Sequence, residues 1–212
     1  MMLSMERLFF RSNEFHDLME GLLNYPSYEV SLRGEISRVL SSAAFEHAES
    51  IRALLLAGNT TSSVALLRLQ YESLVRAIWI VYSASETMVE KLSAELNSEN
   101  AKKVNKLPML SEMLREMDTS APKNAVIPLI EFRDTSWKEL SSFVHGGFHL
   151  IHRHGDGYPE WLRETILKSS NNLNGLNGYF ISIMTGDIAL SKNVHSSFDE
   201  FMDCCTAKPK AK

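Results

Sequence analysis

The chain has 212 residues, 44% apolar and 23% charged, which fits one well-buried globular domain with no marked linker. Its formal charge of -4, from 22 Lys plus Arg against 26 Asp plus Glu, excludes an overall cationic field for nucleic acid or an acidic membrane. Only a local basic patch could serve such a partner.

The first residues meet charges at Glu6 and Arg11, too early for a secretory apolar segment. Residues 74–82 form the most apolar window, but it contains Arg76 and is too short for a membrane span. The two cysteines, Cys204 and Cys205, are adjacent and imply no disulfide framework. These features predict a soluble cytoplasmic protein with no cofactor.

In chain order, residues 6–23 predict a first helix closed by Pro26, and 31–57 a long second helix stopped by Gly58 and Asn59. Thr60, Thr61 and Ser62 offer N-caps for a third helix over 62–84. That stretch has no Gly or Pro and would run about 34 Å. Its apolar residues cover most of the circumference, yet Arg68, Glu72 and Arg76 stand four apart on one line. Two arginines bracketing one carboxylate leave a positive surplus that needs further acceptors.

A polar outer helix follows over 85–103, then a short one over 107–117, with a mobile loop at 118–124. A helical region from Ala125 bends at Pro128 and leads into an amphipathic helix over 135–153. Gly146 and Gly147 lie in its middle at a cost of about 2 kcal/mol relative to Ala. Either close approach of another helix or of a ligand compensates, or the helix breaks there. Residues 160–185 predict a helix whose centre, SSNNLNGLNG, must be held by burial or kink. A last helix over 187–205 leaves a flexible tail at 206–212. No period-two alternation supports a sheet. The reading is all-α: one domain over 1–205, a bundle of six to eight helices around a buried central one.

On the helix over 135–153, Ser142, His145, His149 and His152 follow a three, four, three spacing that lines them on one side, with Arg153 four residues beyond His149. Facing the Arg68, Glu72, Arg76 line, they would enclose one carboxylate, several imidazoles and guanidiniums. Arg holds phosphate bidentately and His donates to it or moves protons, so the set suits a phosphate-bearing ligand. The alternative is a polar network that only fixes helix register. Neither a Glu-x-x-His pair nor a His-Glu-x-x-His metal pattern is present, so no metal ligands are assigned.

The segment Ser62, Ala65, Leu66, Arg68, Glu72, Arg76, Trp79 and the later Trp137, Ser141, Ser142, His145, Gly147 resemble an uncharacterised family of bacterial all-helical proteins. More broadly the chain resembles HEPN-type helical proteins, many of them ribonucleases or inactive partners in toxin–antitoxin and phage-defence systems. Their Arg-then-His motif has one counterpart in spacing here, Arg11–His16 in RSNEFH, in the first helix rather than a late one.

The broader resemblance, with the arginine and histidine lines, gives the expectation of a HEPN-like stress or phage-defence accessory protein that binds a nucleotide or RNA, and an amphipathic face that of a homodimer. Under the ribonuclease reading, His145 or His149 is the general base or acid, and Glu72 is counted with them as catalytic. Arg68, Arg76, Ser142, His152 and Arg153 would then hold the ligand. A non-catalytic protein-interaction or antitoxin-like module with its own protein partner is the alternative, and a metal-dependent hydrolase a further one. The sequence leaves open whether the protein is an enzyme.

Overall fold

Small polar residues start several helices by accepting an exposed backbone N–H, the bond that a first helical turn lacks. Ser4 Oγ accepts from Arg7, Ser31 Oγ from Gly34, Ser85 Oγ from Met88, and Asp187 Oδ1 from Leu190. The computed structural model describes residues 4–28, 30–104 and 107–206, among which ten α-helices and two 3-10 turns form and no strand does.

The helices are α1 (Met5–Glu20), α2 (Leu32–Leu56), α3 (Thr60–Tyr82), α4 (Glu86–Ser93) and α5 (Ser98–Val104). They continue as α6 (Leu110–Ser120), α7 (Lys123–Val144), α8 (Phe148–Asp156), α9 (Glu160–Met184) and α10 (Ile188–Glu200). The 3-10 turns are Gly21–Asn24 and Met202–Cys204. No helix among the described residues is long and apolar enough to cross a membrane.

Six to eight helices were expected, and two of the long ones break. The polar stretch over 85–103 divides after Ser93 because the Asn97 side chain accepts from the backbone N–H groups of Glu99 and Asn100, starting α5 afresh. The stretch over 135–153 divides at the glycine pair. The expected loop at 118–124 shrinks to Ala121 and Pro122, since α6 runs through Ser120 and α7 begins at Lys123. The expected tail lies outside the described residues except for Thr206, whose backbone N–H donates to Asn172 Oδ1 at 3.3 Å.

Helix α3 is the buried centre. Twelve of its 23 residues are buried, including Leu74, Val75 and Ile78 at 0% exposure. It lies antiparallel to α2, fixed by Ser37 Oγ donating to Ala77 O at 2.8 Å, and it also packs on α6, α7, α9 and α8. Tyr71 stacks on Phe132 and donates its hydroxyl to Leu129 O at 2.8 Å, seating α7 against it.

Helix α9 stays continuous through its poor helix formers because they are buried and several bond across to neighbouring elements. Ser170 and Gln70 exchange two hydrogen bonds of 2.8 and 3.0 Å. Asn171 donates to Ser12 Oγ and to Cys204 O, and Asn177 to Ser41 O. Gly178 lies against Met19, and a side chain at Gly175 would run into the ring of Phe198 and come within 2.8 Å of Phe15. The small residues therefore let α1 and α10 approach the α9 backbone.

Candidate functional site: an arginine clamp on α3

The charged line of α3 forms as its spacing requires. Arg68 Nε donates to Glu72 Oε1 at 2.9 Å and Arg76 Nη2 to Glu72 Oε2 at 3.0 Å. The arginines thus take opposite oxygens of one carboxylate. The side chains of Arg68, Glu72 and Arg76 are 14%, 15% and 32% exposed, so the cluster is half enclosed. Its formal charge is +1. Arg68 Nη2 and Arg76 Nε and Nη1 have no partner among the described residues.

The later segment meets this line at Arg68. The Arg68 guanidinium lies 4.3 Å from the centre of the Trp137 ring, and its Nη1 is 3.2 Å from His145 Nε2. A guanidinium only donates, so His145 accepts at Nε2 and carries its proton on Nδ1. Trp137 belongs to the site although the sequence reading left it out of the ligand-holding set. Its signal was available, since Trp137, Ser141 and His145 recur every four residues along α7.

The common line of Ser142, His145, His149 and His152 does not form. Helix α7 ends at Val144 with His145 as its C-cap, and Gly146 adopts φ 68°, a left-handed conformation suited to glycine. Gly147 N–H then returns to Ser142 O at 2.7 Å, while Ser142 Oγ accepts from the His149 backbone at 3.0 Å. A Cβ at Gly147 would sit 2.6 Å from Ser142 Oγ. Ser142 is therefore spent on the turn and on the start of α8, and no bond carries it to the arginines.

The other expected residues disperse. His149 packs its ring against Phe143 and Phe148, each with centroids 6.2 Å apart. His152 is exposed, 4.1 Å from the Phe148 ring, with Nδ1 3.6 Å from Asp156 Oδ2. Arg153 lies 5.9 Å from the Trp161 ring. Thr61, read only as a cap, brings its hydroxyl within 2.9 Å of both His154 Nδ1 and Tyr158 OH, pinning the far end of α8 to α3.

Arg11 and His16 do not share a site. Arg11 is held by Glu14, Asp203 and the carbonyl of Glu200. His16 is 2% exposed, faces Asn174 at 3.2 Å, and has its pKa lowered to about 4, first by burial and then by the charge of Arg52. Among the described residues no three His, Cys, Asp or Glu side chains are grouped to hold a metal ion. Cys204 and Cys205 are buried and unbridged.

Fold and site together define an all-helical bundle whose buried central helix presents a guanidinium–carboxylate–imidazole cluster at its surface. The chain belongs to the DUF6988 family, a family of unknown function, whose model matches residues 41–207. The match takes in both segments that meet at Arg68 and leaves out α1. No curated protein and no solved structure matches the chain.

Proposed function

We propose that this protein binds a phosphate-bearing ligand, a nucleotide or RNA, at Arg68, Arg76 and His145, as a HEPN-like accessory protein of stress or phage defence. The observation that carries the reading is the shared carboxylate. Two guanidiniums on Glu72 leave one uncompensated positive charge, and three guanidinium nitrogens on the two arginines have no protein acceptor among the described residues. Phosphate oxygens match such donors in charge and geometry. His145, accepting from Arg68 at Nε2, holds that guanidinium in place.

Binding is better supported than cleavage. Acid–base cleavage needs two titrating groups on one phosphate, and no hydrogen bond joins His145 to another imidazole among the described residues. Under the cleavage reading His145 would act as the acid, with Arg68 and Arg76 stabilising charge on the phosphate. The non-catalytic interaction module keeps one observation in its favour: Glu72 already pairs both arginines without any ligand.

Calorimetric titration with ATP and pyrophosphate at low salt tests the proposal. Wild-type protein is expected to bind, and Arg76→Ala, at a partly exposed position, to bind at least tenfold more weakly while keeping its helical circular dichroism. Absence of heat with both ligands, or equal affinity in the variant, removes the assignment.

A further inference from the structure

Helix α8 buries none of its nine residues, and Phe148 and Ile151 are 71% and 62% exposed. Trp161, at the start of α9, is 57% exposed. Both aromatics carry a basic group against the ring: the His152 imidazole on Phe148 at 4.1 Å and the Arg153 guanidinium on Trp161 at 5.9 Å. Arg68 over Trp137 makes a third aromatic–basic pair on neighbouring helices.

Their arrangement follows α3. Contact of Arg68 with His145, and of Thr61 with His154, lays α8 antiparallel along the N-terminal half of the central helix. From Arg76 to Thr61 this edge spans fifteen residues, about 22 Å. A single phosphate occupies only the arginine end of it. The surplus of +1 lies at the arginine end, where Arg68 and Arg76 share Glu72, whereas Arg153 stands among Asp156 and the exposed Glu160 beside Trp161.

We propose that the ligand of this site is a single-stranded nucleic acid, with its phosphates on Arg68 and Arg76 and its bases stacked on Phe148 and Trp161. The inference rests on the phosphate-binding reading above and extends it to a polymer. Unpaired bases offer open faces to exposed aromatics, whereas a duplex hides those faces within its own stack. The small local charge sets a weak salt dependence, with a slope near that of one or two neutralised phosphates. Stacking supplies the remainder.

The test is fluorescence anisotropy at low salt with labelled 12-nucleotide single strands of RNA and DNA, the matching duplexes, and ATP as competitor. Single strands are expected to bind more tightly than duplexes. Phe148→Ala and Trp161→Ala, both at exposed positions, should each weaken single-strand binding about tenfold, the size of one lost stack. Affinity for pyrophosphate, which carries no base, should stay within twofold. If Phe148→Ala and Trp161→Ala bind strands as the wild type does while Arg76→Ala loses both strands and ATP, the stacking inference fails and the phosphate reading stands. If neither strands nor ATP bind, both fail. Sedimentation of the same proteins without nucleic acid completes the test. A wild-type dimer that Phe148→Ala converts to monomer assigns this face to a second copy of the chain and overturns the proposal.

Discussion

Replacing Glu72 with Gln separates a ligand site from a register-fixing network, because the two readings give opposite consequences for binding. The carboxylate takes two charge-assisted hydrogen bonds, at 2.9 and 3.0 Å, with only 15% of its side chain exposed. Such a bond contributes about 1.5–3 kcal/mol where water is excluded, and exposed ion pairs about 0–1 kcal/mol. Arg68, 14% exposed, belongs nearer the first range, and Arg76, 32% exposed, nearer the second. Gln keeps one acceptor oxygen and turns its amide donors toward the other arginine. The expected loss is about 2 kcal/mol, or about 4–8 °C in Tm for a chain of this size. Removing the only carboxylate of the cluster also raises its charge from +1 to +2. At contact distances and an effective dielectric near 20, an added charge should tighten phosphate binding on the order of tenfold even after screening. Differential scanning fluorimetry with and without ATP reads both effects. The variant should melt lower alone and gain more from ATP than the wild type does. A lower melting point with no gain in ATP response would falsify the ligand-site argument, and an unchanged melting point would refute the energetic one.

The remaining expectations concern the frame that holds the site. His16 has its pKa lowered to about 4 in the folded chain, so between about pH 6.5 and 4 the unfolded state binds the extra proton. Stability is therefore complete above pH 6.5 and falls by about 3 kcal/mol as pH drops through that window; His16→Leu, followed by urea melts from pH 7 to 4, should flatten this component. Gly146→Ala forces a side chain into φ 68° and should cost about 1–2 kcal/mol, read by chemical denaturation. Gly147→Ala puts Cβ 2.6 Å from Ser142 Oγ and should shift the backbone amide resonance of His149 as that cap opens. Tyr71→Phe removes the 2.8 Å bond to Leu129 O and should cost about 1 kcal/mol, with faster amide exchange in the N-terminal half of α7 as the accompanying sign.

The clamp was legible because its geometry is local. Charges four apart on an uninterrupted helix must share a face, and an apolar circumference around them must enclose that face. Long-range partners were less accessible. That His145 reaches Arg68 was an inference about which helices neighbour each other, whereas the bonds of Asn171 to Ser12, Asn174 to His16 and Asn177 to Ser41 span more than 130 positions, into α1 and α2, and leave no mark on the local pattern. The glycine pair was ambiguous for another reason. Two glycines inside an amphipathic run are compatible both with close packing and with a left-handed stop, and periodicity continues across either. Ser142 decides between them, since its carbonyl and hydroxyl take the N–H groups of Gly147 and His149, bonds that a straight helix would not form.

The same reasoning accounts for the failure of the Arg11–His16 spacing to build a site. Residues five apart on one helix point about 140° away from each other. In α1 that angle sends Arg11 to the α10 end of the molecule, against Phe201 at 4.2 Å, and His16 inward to Asn174 and toward Phe45. Arg11 is already bonded to Glu14, Asp203 and the Glu200 carbonyl, and His16 is buried with Nδ1 toward Asn174, so neither is free to turn to the other. A spacing motif carries chemistry only where the helix turns both of its ends to the same solvent-facing side. In this chain the Arg68, Glu72, Arg76 line meets that condition and the Arg11–His16 pair does not.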